Sequence, residues 1–149
     1  EEATPPPLPR PWVSIGTDAA AAATLGAVDA LGLPHPRAYG TFPRILSEYV
    51  GKRKLLSLEE GARRMSGWPA QRMGLSDRGL VREGMRADII LIDLPKVRDN
   101  ATWERPTAVA TGIDTVIVNG KVTIDNRRHT GARAGMVLRH PCPAPGVTS

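Results

Sequence analysis

The sequence predicts an α/β fold, with a buried strand and short helices in the amino-terminal half and a small antiparallel β element in the carboxyl-terminal half. Three local patterns predict it. A short apolar run at residues 12–15 leads to Asp18, and Ser57 opens a helix-capping pattern. The dipeptide Asn119-Gly120 joins two β-branched runs, a strong local signal for a hairpin.

Composition narrows the classes of partner. The 149 residues are 41% apolar, which is enough for a core, and no apolar run approaches the about 20 residues that a membrane span needs. The net charge is +5, but the basic residues are scattered and only 4% of residues are aromatic, so we expect neither a nucleic-acid nor a membrane partner. A single cysteine, Cys142, cannot form an internal disulfide, and this fits a cytoplasmic protein without a signal peptide.

Asp18 is the candidate catalytic residue. The apolar run at residues 12–15 follows a proline-rich lead-in, residues 1–11, and predicts a buried strand that delivers Asp18 at its carboxyl-terminal end. In α/β barrels and open α/β sheets, catalytic side chains lie at that end because the loops converge there. The alternative is an aspartate that caps a helix in the alanine run behind it.

Residues 32–43 predict an irregular binding loop. Three prolines and two glycines oppose regular structure there. The same stretch carries His35, Arg37 and Tyr39, and such side chains on a loop are typical of binding elements. The alternative is a surface loop in which Arg37 and Tyr39 pack locally.

Regular elements follow this loop. Helices are predicted from Pro43 to Val50, from Ser57 to about Ser66 with Leu58, Ala62 and Met65 buried, and from Pro69 to Leu75. Strands are predicted at residues 87–93 and in the hairpin at 116–124. The three histidines, His35, His129 and His140, form no recognised metal-binding pattern, so no self-contained metal site is visible.

Taken together, these motifs resemble the carboxyl-terminal third of the N-acyl-D-amino-acid deacylases (D-aminoacylases) of the amidohydrolase superfamily. The more specific motif is His-Pro-Arg-Ala-Tyr-Gly-Thr-Phe-Pro-Arg at residues 35–44. Other matching stretches stand in the family's order at residues 14–18, 55–60, 84–89, 118–120 and 129–133.

The resemblance implies a fold and a domain organisation. It implies a distorted TIM barrel flanked by a small β-sandwich, with residues 12–78 as the last barrel strand and its closing helices. Residues 79–139 would belong to the sandwich, and residues 140–149 would be a flexible tail. A whole barrel takes about 250 residues, so we expect this chain to be a fragment that joins a missing amino-terminal barrel portion.

The resemblance also implies the chemistry. A zinc-dependent enzyme would hydrolyse an N-acyl-D-amino acid to a carboxylate and a free D-amino acid, with Asp18 as general base and then general acid. Asp18 could also touch the zinc, whose other ligands would lie upstream. Arg37, with His35 and Tyr39 nearby, would hold the small-molecule substrate, although support of the loop is an equal alternative for Arg37.

Two other functions stay open. A cyclic amidohydrolase of the dihydropyrimidinase type would use the same Asp18 and β element, although the motif at residues 35–44 fits it less well. A non-catalytic module that acts by association would instead use its exposed strand edges.

Overall fold

A computed structural model describes residues 8, 10–19 and 32–139 of the chain. The predicted tail, most of the predicted lead-in and most of the alanine run lie outside these residues. The elements are α1 (Arg37–Arg44), a π-helix (Ile45–Lys52), α2 (Leu58–Met65), α3 (Gly67–Arg72), β1 (Ile89–Ile92), a 3-10 turn (Leu94–Lys96), β2 (Ile113–Val118), β3 (Lys121–Asp125) and β4 (Arg128–His129). The predicted order of helices followed by an antiparallel sheet is confirmed.

The strand predicted at residues 12–15 is not a strand in the structure. A strand needs a neighbour that pairs with its backbone, and the described residues supply none at this place. Instead, the Ile15 N–H donates to the Arg64 carbonyl (3.3 Å) and the Val13 N–H donates to the Arg10 carbonyl (3.2 Å). The segment therefore runs as irregular chain against α2.

The irregular loop predicted at residues 32–43 is wrong in its second half, where α1 forms. Pro36 precedes the helix with φ −51° and ψ −27°, a helical conformation that its ring already favours. Pro43 removes a backbone hydrogen bond only near the end of α1, where the chain continues into the π-helix. Because Pro36 and Pro43 lie at the two ends of α1, they permit a helix, although the number of prolines in this stretch predicts none.

The π-helix and α2 form the core of the helical half. The predicted apolar stripe is confirmed at Ile45, Leu46 and Val50, which are buried. Leu8 and Leu56 join Ile45 and Val50 in one apolar cluster.

The capping box predicted for α2 is confirmed, because the Glu60 N–H donates to Ser57 Oγ at 3.2 Å. The predicted buried face is wrong for two of its three residues, whereas Met65 is half-buried and packs against the apolar cluster. Leu58 and Ala62 are exposed, and Gly61 is buried because α2 approaches the π-helix closely, leaving 3.0 Å between an added Gly61 Cβ and Val50 Cγ2.

Two neighbouring arginines of α2 hold the segment that precedes Asp18. Arg64, only 2% exposed, donates to Glu60 Oε1 (2.6 Å) and to the carbonyl of Leu8. Arg63 donates to Glu60 Oε2 (2.7 Å) and to the carbonyl of Pro11 (2.9 Å). Glu60 therefore fixes both guanidinium groups, and they in turn fix the segment.

The carboxyl-terminal half is a four-stranded antiparallel sheet in the order β1-β2-β3-β4. Asn119 (φ 47°) and Gly120 (φ 77°) join β2 to β3, which are the positive φ angles of the predicted hairpin turn. Ile90 and Leu91 are exposed on opposite faces of the edge strand β1. Within the part of the chain that the structure covers, no helix is long and apolar enough to cross a membrane.

We expect the stability of the folded chain to fall as the pH is lowered from about 4.5 to about 2. Hydrogen bonds from Arg63 and Arg64 lower the pKa of Glu60 from 4.5 to about 2, so the unfolded chain takes up a proton before the folded chain does. The stabilisation is complete above pH 4.5 and disappears as Glu60 is protonated. Urea unfolding midpoints measured across this pH range test it.

The Glu60→Gln variant should show a weaker dependence on pH in this range. Glu83→Gln is the matched control, because Glu83 is exposed in the turn before Gly84. An unchanged pH slope in Glu60→Gln would show that the two arginines do not act through this carboxylate.

Candidate functional site

Asp18 lies at the end of the segment that α2 holds. Ile15, three residues earlier, is bound to the Arg64 carbonyl and packs against the apolar cluster. Asp18 itself has φ 50°, a left-handed conformation that is uncommon outside glycine and that aspartate tolerates better than most residues. Its side chain is 86% exposed. The carboxylate of Asp18 is therefore accessible to a ligand.

Asp18 and Arg37 form an ion pair. Arg37 Nη2 lies 2.9 Å from Asp18 Oδ2, so the structure brings two of the predicted site residues into direct contact. Arg37 stands in the first turn of α1 and is 47% exposed. Exposed pairs of this kind are weak because water competes for both partners. A carboxylate from a ligand can therefore take the place of Asp18 on the guanidinium.

His35 holds the backbone of Arg37 through a hydrogen bond. Its Nδ1 accepts a hydrogen bond from the Arg37 backbone N–H at 3.0 Å. Tyr39 is half-buried and lies two residues after Arg37, hence on the other side of α1. The structure therefore groups Asp18, His35 and Arg37, with Tyr39 directed elsewhere.

A pocket of about 310 Å³ opens beside this group, between α1 and a loop of the carboxyl-terminal half. Its volume lies at the lower end of the range for small-molecule sites. It is lined by His35, Pro36, Arg37, Gly40, Thr41, Arg44, Asp99, Ala101, Thr102 and Trp103. The motif at residues 35–44 predicts the α1 side of this pocket, whereas no sequence pattern predicted Asp99 and Trp103.

Asp99 joins the two sides of the pocket. Its carboxylate is 13% exposed, accepts the Ala101 N–H at 3.0 Å and lies 3.7 Å from Arg44 Nη1. Gly40 is buried under it, and an added Cβ there would lie 2.8 Å from Asp99 Cγ. The absence of a side chain at Gly40 is what lets the loop approach α1.

The predicted zinc site can be tested against these residues. Zinc in proteins takes three or four protein ligands. Among residues 8, 10–19 and 32–139, no group of three or more histidine, cysteine or acidic side chains is placed to hold a metal ion. His129 lies in β4 and its Nδ1 accepts the Gly131 N–H. The described residues therefore do not fit a zinc ion by themselves, and Asp18 could supply at most one ligand.

Comparison with known proteins decides the family. Residues 17–124, which include Asp18, His35, Arg37 and Tyr39, match the model of the amidohydrolase family. The chain belongs to this family. The predicted resemblance to D-aminoacylases is confirmed by individual relatives.

Three relatives come from Alcaligenes xylosoxydans xylosoxydans. The chain is 44% identical to an N-acyl-D-aspartate deacylase over 105 aligned residues. These residues are 70% of this chain and 21% of the deacylase. A D-aminoacylase is also 44% identical, with 70% and 22% covered. An N-acyl-D-glutamate deacylase is 39% identical over 114 residues, with 76% and 23% covered. This amidohydrolase chain thus spans about a fifth of the length of these relatives.

Solved structures agree with the sequence relatives. A D-aminoacylase crystal structure matches with a TM-score of 0.67 at 43% identity, over 68% of this chain and 22% of the other. An N-acyl-D-glutamate deacylase from Bordetella bronchiseptica, complexed with zinc and a phosphonate that mimics the tetrahedral intermediate, matches with a TM-score of 0.60 at 39% identity, over 63% and 21%.

We expect Gly40→Ala to destabilise this amidohydrolase chain by about 1 kcal/mol. Alanine favours a helix by about 1 kcal/mol over glycine. Displacing a packed neighbour costs about 1–3 kcal/mol, and here Asp99 would have to leave α1. The urea unfolding midpoint measures the difference between the gain in helix propensity and the cost of displacing Asp99.

Gly135→Ala is the matched control, since an added Cβ meets nothing within 4 Å there. A Gly40→Ala variant more stable than the wild type by about 1 kcal/mol, the full gain in helix propensity, would mean that Asp99 is not held against α1.

Proposed function

We propose that this chain is part of an enzyme that hydrolyses N-acyl-D-amino acids to a carboxylate and a free D-amino acid. The observation that carries the proposal is the 39–44% identity to three deacylases of such substrates, within a family match that contains the Asp18–Arg37 pair. Residues 12–78 would contribute to a barrel and residues 79–139 to a β-sandwich. The TM-score of 0.67 to a D-aminoacylase supports a fold shared with that enzyme, and the boundary between the two parts is part of the proposal.

Asp18 is the proposed proton carrier. Hydrolysis of the amide forms a C–O bond from water and breaks the C–N bond, so one proton must leave the water and one must reach the amine. A carboxylate can accept the first proton and deliver it to the leaving nitrogen. The exposure of Asp18 and its position on a left-handed turn support its access to a bound substrate.

Arg37 is the proposed site for the α-carboxylate of the substrate. Its planar guanidinium can bind a carboxylate through two parallel hydrogen bonds. Because Arg37 is paired with Asp18, an arriving carboxylate would displace Asp18 and free it for proton transfer. His35 would keep the backbone of Arg37 in place. Tyr39, on the other side of α1, stays a prediction from the sequence motif alone.

The proposed metal is zinc, which the Bordetella relative contains. Its ligands would come mainly from protein outside the described residues, with Asp18 as a candidate. A cytoplasmic location stays a prediction that rests on the single cysteine. An association module remains a second candidate because β1 exposes apolar side chains, but that function gives no role to the Asp18–Arg37 pair.

Asp18→Asn in the complete protein that carries this chain tests the mechanism. Asparagine keeps the shape of the side chain but cannot carry the proton, so we expect hydrolysis to fall by about 10²–10⁴-fold. Release of free D-amino acid from an N-acetyl-D-amino acid is the measurement. Asp114→Asn, on the exposed side of β2, is the matched control and should retain wild-type activity. Unchanged activity in Asp18→Asn would remove Asp18 from the mechanism.

The length of the protein in its source cells is a separate test. An antibody against residues 79–139 should detect a polypeptide several times longer than 149 residues, because this chain matches only about a fifth of its relatives. A product no longer than the chain itself would have no room for a barrel of about 250 residues and would contradict the proposal.

A further inference from the structure

The loop at residues 98–111 is closed at its base by backbone hydrogen bonds, and its residue Asp99 lies against α1. Val97 is fully buried at the start of this loop. Arg98 and Thr111 exchange two backbone hydrogen bonds (3.2 and 3.3 Å) and close its base. Within it, Asn100 Nδ2 donates to the carbonyl of Val109 at 2.9 Å. These bonds give the loop a defined shape although it contains no helix or strand.

The tip of the loop presents Trp103 to the candidate site. Thr102 and Arg105 close the tip through two hydrogen bonds, from the Thr102 N–H to the Arg105 carbonyl and from the Arg105 N–H to Thr102 Oγ1. Trp103 is 72% exposed, so burial in a core does not explain its position. Its ring packs edge-on against His35, with 4.6 Å between the ring centres and 68° between the planes.

A continuous set of contacts links Trp103 to the proposed catalytic carboxylate. Trp103 packs against the imidazole of His35, whose Nδ1 accepts the Arg37 N–H at the start of α1. That N–H has no partner within the helix, as is general for a first turn, so His35 satisfies it. The side chain of Arg37 then reaches Asp18 at 2.9 Å.

We propose that Trp103 is a positioning residue that acts through His35 to orient Arg37 toward the α-carboxylate of the substrate. The contact between Asp99 and Gly40 attaches the same loop to the second turn of α1, so the loop fixes both the position and the orientation of this helix. The inference rests on the proposed deacylase function. It assigns to the carboxyl-terminal half a part in substrate recognition.

The test compares two substrates in the complete protein: an N-acetyl-D-amino acid and its α-carboxamide, which lacks the charge that Arg37 would bind. The measured quantity is the ratio of kcat/KM for the acid to kcat/KM for the amide. We expect Trp103→Ala to lower this ratio at least about tenfold, because small misplacements of a binding group are costly. Trp103→Phe, which keeps an aromatic ring beside His35, should restore it.

The ratio separates positioning from a loss of folded protein, because less active enzyme lowers both rates equally. Val81→Ala is the control: Val81 is 87% exposed and does not line the pocket, so the ratio should be that of the wild type. A wild-type ratio in Trp103→Ala, with the wild type active, overturns this inference alone. A wild type that hydrolyses neither substrate overturns the proposed function and this inference with it.

Discussion

The buried guanidinium of Arg64 requires hydrogen-bond acceptors. The acceptors that it contacts determine the path of the segment that leads to Asp18. An unpaired buried charge is strongly destabilising, so Arg64 must keep Glu60 and the carbonyl of Leu8 within reach. The backbone of Arg64 also binds Ile15. One residue of α2 therefore fixes both ends of the segment that leads to Asp18, which no sheet supports among the described residues.

Local signals in the sequence predict structure well here because their partners lie a few residues away. Ser57 caps α2 as expected, and Asn119-Gly120 forms the hairpin turn. The strand expected at residues 12–15 failed because a strand depends on a distant neighbour. The helix α1 was missed because the count of prolines ignored their positions, and Pro36 stands where its fixed φ angle favours helix initiation.

In the candidate site, too, residues marked by local signals were predicted and residues that depend on distant partners were missed. Asp18, His35 and Arg37 were predicted from a strand end and a single motif, and the structure places them together. Asp99 and Trp103 were missed because the residues that they contact, Gly40 and His35, lie about sixty residues earlier in the chain. The only sequence feature that marks them is a tryptophan in a polar, proline-bounded stretch, and no periodic pattern predicts contact between a loop and a helix.

Two exposed features of the chain have one explanation under the proposed function. A strand with apolar residues on both faces is ordinarily covered on both sides, yet β1 presents Ile90 and Leu91 to solvent. Many active sites are shielded from bulk water, which strengthens their electrostatic interactions, yet Asp18 is 86% exposed. Under the proposed function, one missing body of protein accounts for both: it would cover the sheet, close over Asp18 and bring the metal ligands. The chain would then contribute the proton carrier, the carboxylate-binding arginine and the loop that orients it.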